Sequence, residues 1–277
     1  MCYKPIDVVI NAKGQKTIQV NCRQCLECRQ KRANEWALRC MFEMKKYTCG
    51  SFITLTYEKS PLILVKKDLQ DFWKRLRKKI APLKIRYFAC GEYGSLHFRP
   101  HFHAIIFGYD FPDKYIQSNS DKGYAIYNSE ELEKLWGHGL VTVQDVTLNS
   151  AAYCALYSTK PPKTYPKYLW DNPEFNVMSQ GLGVDMLLEN IETYLETDEI
   201  WYDGKKHNIP QAVLNKRFTE RQRESNIQYL MLKKKRLEKA RQSKNSQISK
   251  LDESYYEYLT QKTIMSENKQ KRLTKLL

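Results

Sequence analysis

His101 and His103 stand two residues apart in Arg99-Pro100-His101-Phe102-His103-Ala104-Ile105-Ile106-Phe107-Gly108, a run rich in β-forming side chains. Alternate residues of a strand share a face, so both imidazoles point the same way and suit one divalent cation. Phe102, Ala104 and Ile106 take the opposite side and pack under helices. Glu92 lies at the end of the preceding strand-like run, across a connection short enough to fold back. Its carboxylate would complete a two-His, one-carboxylate site with open coordination positions. His97, within the connection, competes for the third place.

Two further groups of residues carry reactive types. Tyr153 and Tyr157 are four apart on an expected helix, which sets both phenols on one face about a turn apart. A phenolate can attack covalently when its target is polarised, and Lys160 follows as a cation for a phosphate or a leaving oxyanion. Cys22, Cys25 and Cys28 form C-x2-C-x2-C, with Cys2 ahead as a candidate fourth ligand and Cys40 and Cys49 behind. In a reducing compartment such clustering reads as structural Zn²⁺ before disulfides or an iron–sulfur cluster. Free thiols around a helix start are the alternative. Cys90 and Cys154 read as packing residues.

The elements that must position these groups follow from periodicity. Ala33, Trp36, Ala37, Cys40, Met44 and Tyr47 recur at helical spacing, and Ser51 to Tyr57 reads as a strand. Leu69, Phe72, Trp73, Leu76 and Ile80 form one face of a helix over 67–80. Its other face carries Lys74, Arg75, Arg77, Lys78 and Lys79. Residues 85–90 and 101–107 are strand-like, 109–128 is a polar insert, 130–136 is helical and 139–146 is a strand. Asn149-Ser150 offers an N-cap to a helix carrying Ala151 to Thr159, which Pro161-Pro162 stops. This order predicts an α+β fold on a mainly antiparallel sheet. Three regions are expected: a Cys-containing segment and helix over 1–49, a core over 50–165, and an aromatic, then basic helical extension over 166–277.

Composition narrows the partners. Forty-six Lys and Arg against thirty-one Asp and Glu give a formal charge of +15 in 277 residues, which favours an anionic partner, nucleic acid first. Apolar runs are far shorter than the roughly 20 residues of a membrane span, and no secretory leader is evident. Phosphate-binding glycine loops are absent. The basic helix would contact phosphates, as would the tail with Lys233-Lys234-Lys235-Arg236, Lys269, Lys271, Arg272 and Lys275. Tyr57, Tyr93 and Tyr109 are candidates for stacking on unpaired bases.

Phe52-Ile53-Thr54-Leu55-Thr56, Cys90-Gly91-Glu92-Tyr93-Gly94 leading to His101-Phe102-His103, and Tyr153-Cys154-Ala155-Leu156-Tyr157-Ser158-Thr159-Lys160 occur in that order. Together they resemble the three motifs of HUH-type rolling-circle replication initiators, and more narrowly those of the Microviridae, gokushovirus group. Cys2 and the Cys22 to Cys28 run followed by Trp36 also fit that group. The resemblance covers residues 1 to 165 well and the rest loosely. It implies a five-stranded antiparallel sheet, Mg²⁺ or Mn²⁺ on His101, His103 and Glu92, and Tyr153 and Tyr157 as alternating nucleophiles. One departure is Leu156, where relatives with paired tyrosines often carry lysine; Lys160 is the cation that remains.

The activity implied is nicking of single-stranded or extruded phage origin DNA, in replicative form, through a 5′-phosphotyrosine link that later rejoins. Host helicase and polymerase, in the cytoplasm of a bacterial host, would extend the freed 3′-hydroxyl. A non-enzymatic zinc-stabilised DNA-binding or packaging protein is the competing class; an HUH transposase or relaxase is a third.

Overall fold

The computed structural model describes residues 2, 5–9, 17–94, 97–120, 123–157, 166–218, 226–251 and 264. A short hairpin, β1 (Ile6–Val9) with β2 (Thr17–Val20), precedes helix α1 (Leu26–Met44). Then come β3 (Gly50–Thr56), α2 (Lys66–Ile80), β4 (Arg86–Tyr93) and β5 (Pro100–Phe107). After these lie β6 (Tyr115–Asn119), β7 (Ala125–Asn128), α3 (Glu130–Trp136), β8 (Val141–Asp145) and α4 (Leu148–Tyr157). The chain continues with β9 (Phe175–Met178), α5 (Val184–Leu188), α6 (Ile191–Thr197), β10 (Ile200–Tyr202), β11 (Lys205–His207), α7 (Gln211–Arg217) and α8 (Ile227–Leu251).

The fold is α+β, and its main sheet is antiparallel in every pairing. It has seven strands, in the order β6-β7-β8-β3-β5-β4-β9, and not the five expected. Residue periodicity places four of them, β3, β4, β5 and β8, and the other three extend the sheet at its two ends. The polar insert folds into the β6–β7 hairpin; β6 is exposed along its whole length, so no apolar alternation marks it as a strand. At the other edge, β9 comes from the aromatic segment beyond residue 165 and pairs with β4 through Gly91 and Phe175.

Alternation along the central strands divides the core into two layers. Ile53, Leu55, Ala89, Phe102, Ala104 and Ile106 face α2 and α3, meeting Leu69, Phe72, Leu76 and Trp136. Phe52, Phe88, Cys90, Ile105 and Phe107 face α1 and α4, meeting Ala33, Ala37, Cys40, Ala151, Cys154 and Ala155. Cys90 and Cys154 are buried in this second layer. The small residues let α1 and α4 approach each other and the sheet closely, and these two make the most extensive helix–helix contact of the described residues. A third cluster covers the far side of α1, where Leu38 and Phe42 meet Leu187, Val213, Leu214 and Leu232.

Local chemistry fixes the ends of α4. Thr147, and not Asn149 or Ser150, closes its N-terminus: Ser150 N–H donates to Thr147 Oγ1 at 3.1 Å, and Thr147 N–H donates to Ser150 Oγ at 2.8 Å. This reciprocal pair satisfies two otherwise orphaned donors. Tyr157 is the last residue of the helix. The expected stop at Pro161-Pro162 lies outside the described residues, as do the terminal lysines from Lys269 onward.

Candidate metal centre and tyrosine site

Register places the three candidate ligands together. Thr56 and Glu92 flank His101, and Thr54 and Cys90 flank His103, on the neighbouring strands β3 and β4. Glu92 is therefore the direct cross-strand partner of His101 and the diagonal neighbour of His103, all on the α1–α4 face. His101 Nε2 lies 2.5 Å from Glu92 Oε1, and His103 Nε2 lies 3.2 Å from the same oxygen. One donor atom from each of the three lies within 4.8 Å of the others. His97 is exposed in the connection and outside this group.

The surroundings orient both rings. His101 Nδ1 is 3.0 Å from the Arg99 carbonyl, which can only accept, so Nδ1 carries the hydrogen and Nε2 faces Glu92. His103 Nδ1 pairs with Thr54 Oγ1 at 3.0 Å, and Phe52 stacks on the His103 ring with centroids 5.7 Å apart. Such outer partners fix a ligating imidazole's tautomer and direction. Glu92 Oε2 is buried and has no hydrogen-bond partner among the described residues. A buried carboxylate oxygen left that way is costly, and a cation beside it would relieve the cost. The donor set and this orphaned oxygen fit a divalent ion.

Protonation follows from burial and pairing. Burial alone would raise the Glu92 carboxyl, but hydrogen bonds from His101 and His103 outweigh it and push the group down to about 2. Burial lowers His103 despite Glu92. His101 is also opposed by burial, yet its closer contact with Glu92 raises it. Glu92 is thus anionic and His103 inclines to the neutral form, the states in which both ligate metals.

Tyr153 projects from α4 onto this centre. Its hydroxyl donates to Glu92 Oε1 at 3.3 Å and lies 3.5 Å from His103 Nε2. Its ring meets His103 edge-on with centroids 4.9 Å apart. Tyr157 is one helical turn further on; its side chain, and all of Lys160, lie outside the described residues.

The expected DNA-binding residues lie elsewhere. Helix α2 covers the opposite face of the sheet from His101 and His103. Lys74, Arg77, Lys78 and Lys79 are exposed there. Arg75 is turned inward, donating from Nε to Leu135 O at 2.7 Å and from Nη2 to Trp136 O at 3.0 Å, which ties it to the end of α3. In α8, Arg236 forks onto Asp198 and Lys235 reaches the carbonyls ending α6, while Lys233 and Lys234 are exposed. Tyr57 and Tyr93 are buried, their hydroxyls donating to Asp68 and to Asn172 O, so neither offers a ring to a base. Tyr109 is half-buried and donates to Glu131. Cys2, Cys22, Cys25 and Cys28 converge in a separate cluster at the start of α1. Thr54, Phe52 and the Arg99 carbonyl are the supporting partners that residue spacing did not single out; strand register against His103 is the signal that exposes them.

Comparison with known proteins gives the family. The family model for replication-associated proteins of the ORF2 type matches residues 50–162, which include β3, Glu92, both histidines and both tyrosines. The chain is 30% identical over 276 residues to replication-associated protein ORF2 of Spiroplasma virus 4, covering 93% of this chain and 85% of that one. It is 33% identical over 183 residues to replication-associated protein VP4 of Bdellovibrio phage phiMH2K, covering 57% and 58%. With replication-associated protein ORF4 of Chlamydia phage 1 the identity is 29% over 212 residues, covering 71% and 53%. No solved structure matches. No helix among the described residues is long and apolar enough to cross a membrane. The chain belongs to the replication-associated proteins of the Microviridae, as initiators of phage DNA replication.

Proposed function

We propose that this protein is an HUH endonuclease and strand transferase that nicks its phage's origin DNA, single-stranded or extruded from the replicative form, with Tyr153 as a nucleophile. One observation carries the reading: the Tyr153 hydroxyl, Glu92 and His103 meet within 3.5 Å on one face of the sheet. Glu92, His101 and His103 would hold Mg²⁺ or Mn²⁺. Such an ion, when bound, polarises the scissile phosphate and offsets developing charge.

The chain's own residues do the rest. The α1–α4 packing holds Tyr153 over the ligand group, and the phenolic oxygen attacks phosphorus in line. The P–O3′ bond breaks, the 5′-phosphate stays on Tyr153, and the phenolic proton is balanced by the one taken up at the released 3′-hydroxyl. The phosphodiester energy is kept in the tyrosyl link, so no nucleotide is consumed. Tyr157, on the same helical face by its spacing, serves the second cleavage, after which the free 3′-hydroxyl attacks the first link and closes a circle. Host helicase and polymerase act between these transfers in the bacterial cytoplasm.

The test is incubation with Mn²⁺ and single-stranded oligonucleotides tiling the phage's origin, read by denaturing gel and intact mass. A covalent adduct that EDTA, His103→Ala and the Tyr153→Phe/Tyr157→Phe double variant each abolish is expected. Salt-sensitive binding with no adduct on any oligonucleotide would instead favour a non-catalytic DNA-binding protein.

A further inference from the structure

A second ligand cluster lies apart from the tyrosine site. The sulfurs of Cys2, Cys22, Cys25 and Cys28 all lie within 4.8 Å of one another. Cys2 Sγ is 3.4 Å from Cys22 Sγ and 3.8 Å from Cys25 Sγ. Thiolates bound about 2.3 Å from a single zinc ion at tetrahedral corners sit about 3.8 Å apart. A disulfide would draw two sulfurs together to about 2.05 Å and leave the other pair out, whereas no disulfide joins these four and their sulfurs cluster together. A cubic iron–sulfur cluster would hold them further apart, since several irons and sulfides lie between its cysteines.

The backbone is shaped to serve these sulfurs. Cys22 N–H donates to Cys2 Sγ at 3.3 Å, and Cys25 N–H donates to Cys22 Sγ at 3.2 Å. Arg23, with φ +60°, takes the left-handed conformation that closes the turn between them, at a steric cost a residue bears only when its surroundings impose it. Cys28 sits in the first turn of the 19-residue α1, which brings its sulfur within 4.8 Å of the other three.

Packing shows why an ion is needed. Strand β1 buries almost nothing: Ile6, Val8 and Val9 are 51%, 38% and 56% exposed. The cluster joining it to α1 has Cys2, Cys25 and Leu26 as its buried members. So few apolar side chains hold β1 to α1 weakly, and a staple among the four sulfurs makes up for them.

We propose that Cys2, Cys22, Cys25 and Cys28 bind one structural Zn²⁺, pinning the N-terminal hairpin to the start of α1. The thiols give up their protons to solvent as the ion enters, and nothing is oxidised or reduced. The ion thereby anchors the helix whose Ala33, Trp36, Ala37 and Cys40 back α4, which carries Tyr153. This site is independent of the nicking chemistry and of its cation.

The test uses the full chain, purified anaerobically without chelator, with metals measured by mass spectrometry and the zinc environment by X-ray absorption. About one zinc per chain is expected, in wild type and in His103→Ala alike, with four sulfur neighbours near 2.3 Å. Cys25→Ser/Cys28→Ser should fall to near zero zinc. Iron in place of zinc, a metal-free protein, nitrogen or oxygen neighbours, or zinc lost in His103→Ala would each overturn the proposal. The wild-type absorption measurement decides the matter even where the cysteine variant does not fold.

Discussion

Tyr153 and His103 lie on different elements, 50 residues apart, yet the tyrosine hydroxyl stands 3.5 Å from the imidazole Nε2. Helix α4 achieves this by presenting small side chains to the sheet: Ala151, Cys154 and Ala155 are fully buried beside Phe52, Phe88 and Ile105. A bulkier residue there has no space to enter without lifting the helix.

Ala151→Leu should therefore separate chemistry from binding. Overpacking of this kind costs about 1–3 kcal/mol of stability, and displacing a nucleophile by about 1 Å can cost on the order of 100-fold in rate. Single-turnover cleavage should fall by that order, while affinity for single-stranded DNA stays within about twofold. Unchanged cleavage in a folded variant would show that α4 does not set the nucleophile's position.

The exposed basic face of α2 makes the complementary prediction. Lys74, Arg77, Lys78 and Lys79 lie across the sheet from Tyr153, so they can add affinity without touching the reacting phosphate. Each phosphate contact on single-stranded DNA contributes about 0.7 to the slope of log affinity against log salt. Replacing all four by Gln should flatten that slope by up to about 3 and leave cleavage at saturating DNA unchanged. An unaltered slope would remove α2 from the DNA-binding surface. Arg75→Gln should act on stability instead, because its partners are the Leu135 and Trp136 carbonyls.

These placements show where reading the sequence succeeded and where it stopped. The central strands were legible because each is buried on both faces, and the His101-Phe102-His103 alternation has one periodic solution. Glu92 was legible because a short connection leaves little choice of partner. Strand β6 was not, since a solvated edge strand carries no period, and β9 is four residues long in a Pro-punctuated segment. Thr54 could not be tied to His103 without knowing that β3 and β5 are neighbours, a long-range fact that local pattern does not contain. The facing of α2 away from the tyrosines required the same knowledge of layers.

Glu43 offers a test of how α1 is fixed to the sheet. It is fully buried, accepts from Arg86 Nη1 at 3.0 Å on one oxygen and from Gly183 N–H at 2.6 Å on the other. It thus joins α1, β4 and the start of α5. Glu43→Ala removes the carboxylate paired with Arg86, leaving it the Gln180 carbonyl, and orphans a buried amide, so a loss of about 3 kcal/mol is expected. Glu43→Gln, which keeps an acceptor, should lose less. Urea denaturation measures both; a loss below about 1 kcal/mol for the alanine variant would contradict the assignment.

His207 belongs to neither ligand cluster and supplies a pH dependence of its own. Burial lowers its imidazole pKa, with Lys205 adding to the effect, and its Nε2 has no hydrogen-bond partner among the described residues. The folded state therefore holds this proton less readily than the unfolded chain, where histidine titrates near 6.5. Above that value neither state is protonated and the site is neutral to stability; as pH falls through it, the unfolded chain gains a proton the native one resists, and stability drops. His207→Gln cannot titrate. Between pH 7.5 and 5.5, the urea midpoint of the wild type should fall further than that of His207→Gln, so the gap between them shifts toward the variant in acid. Two parallel curves would mean that His207 meets its proton equally well in both states.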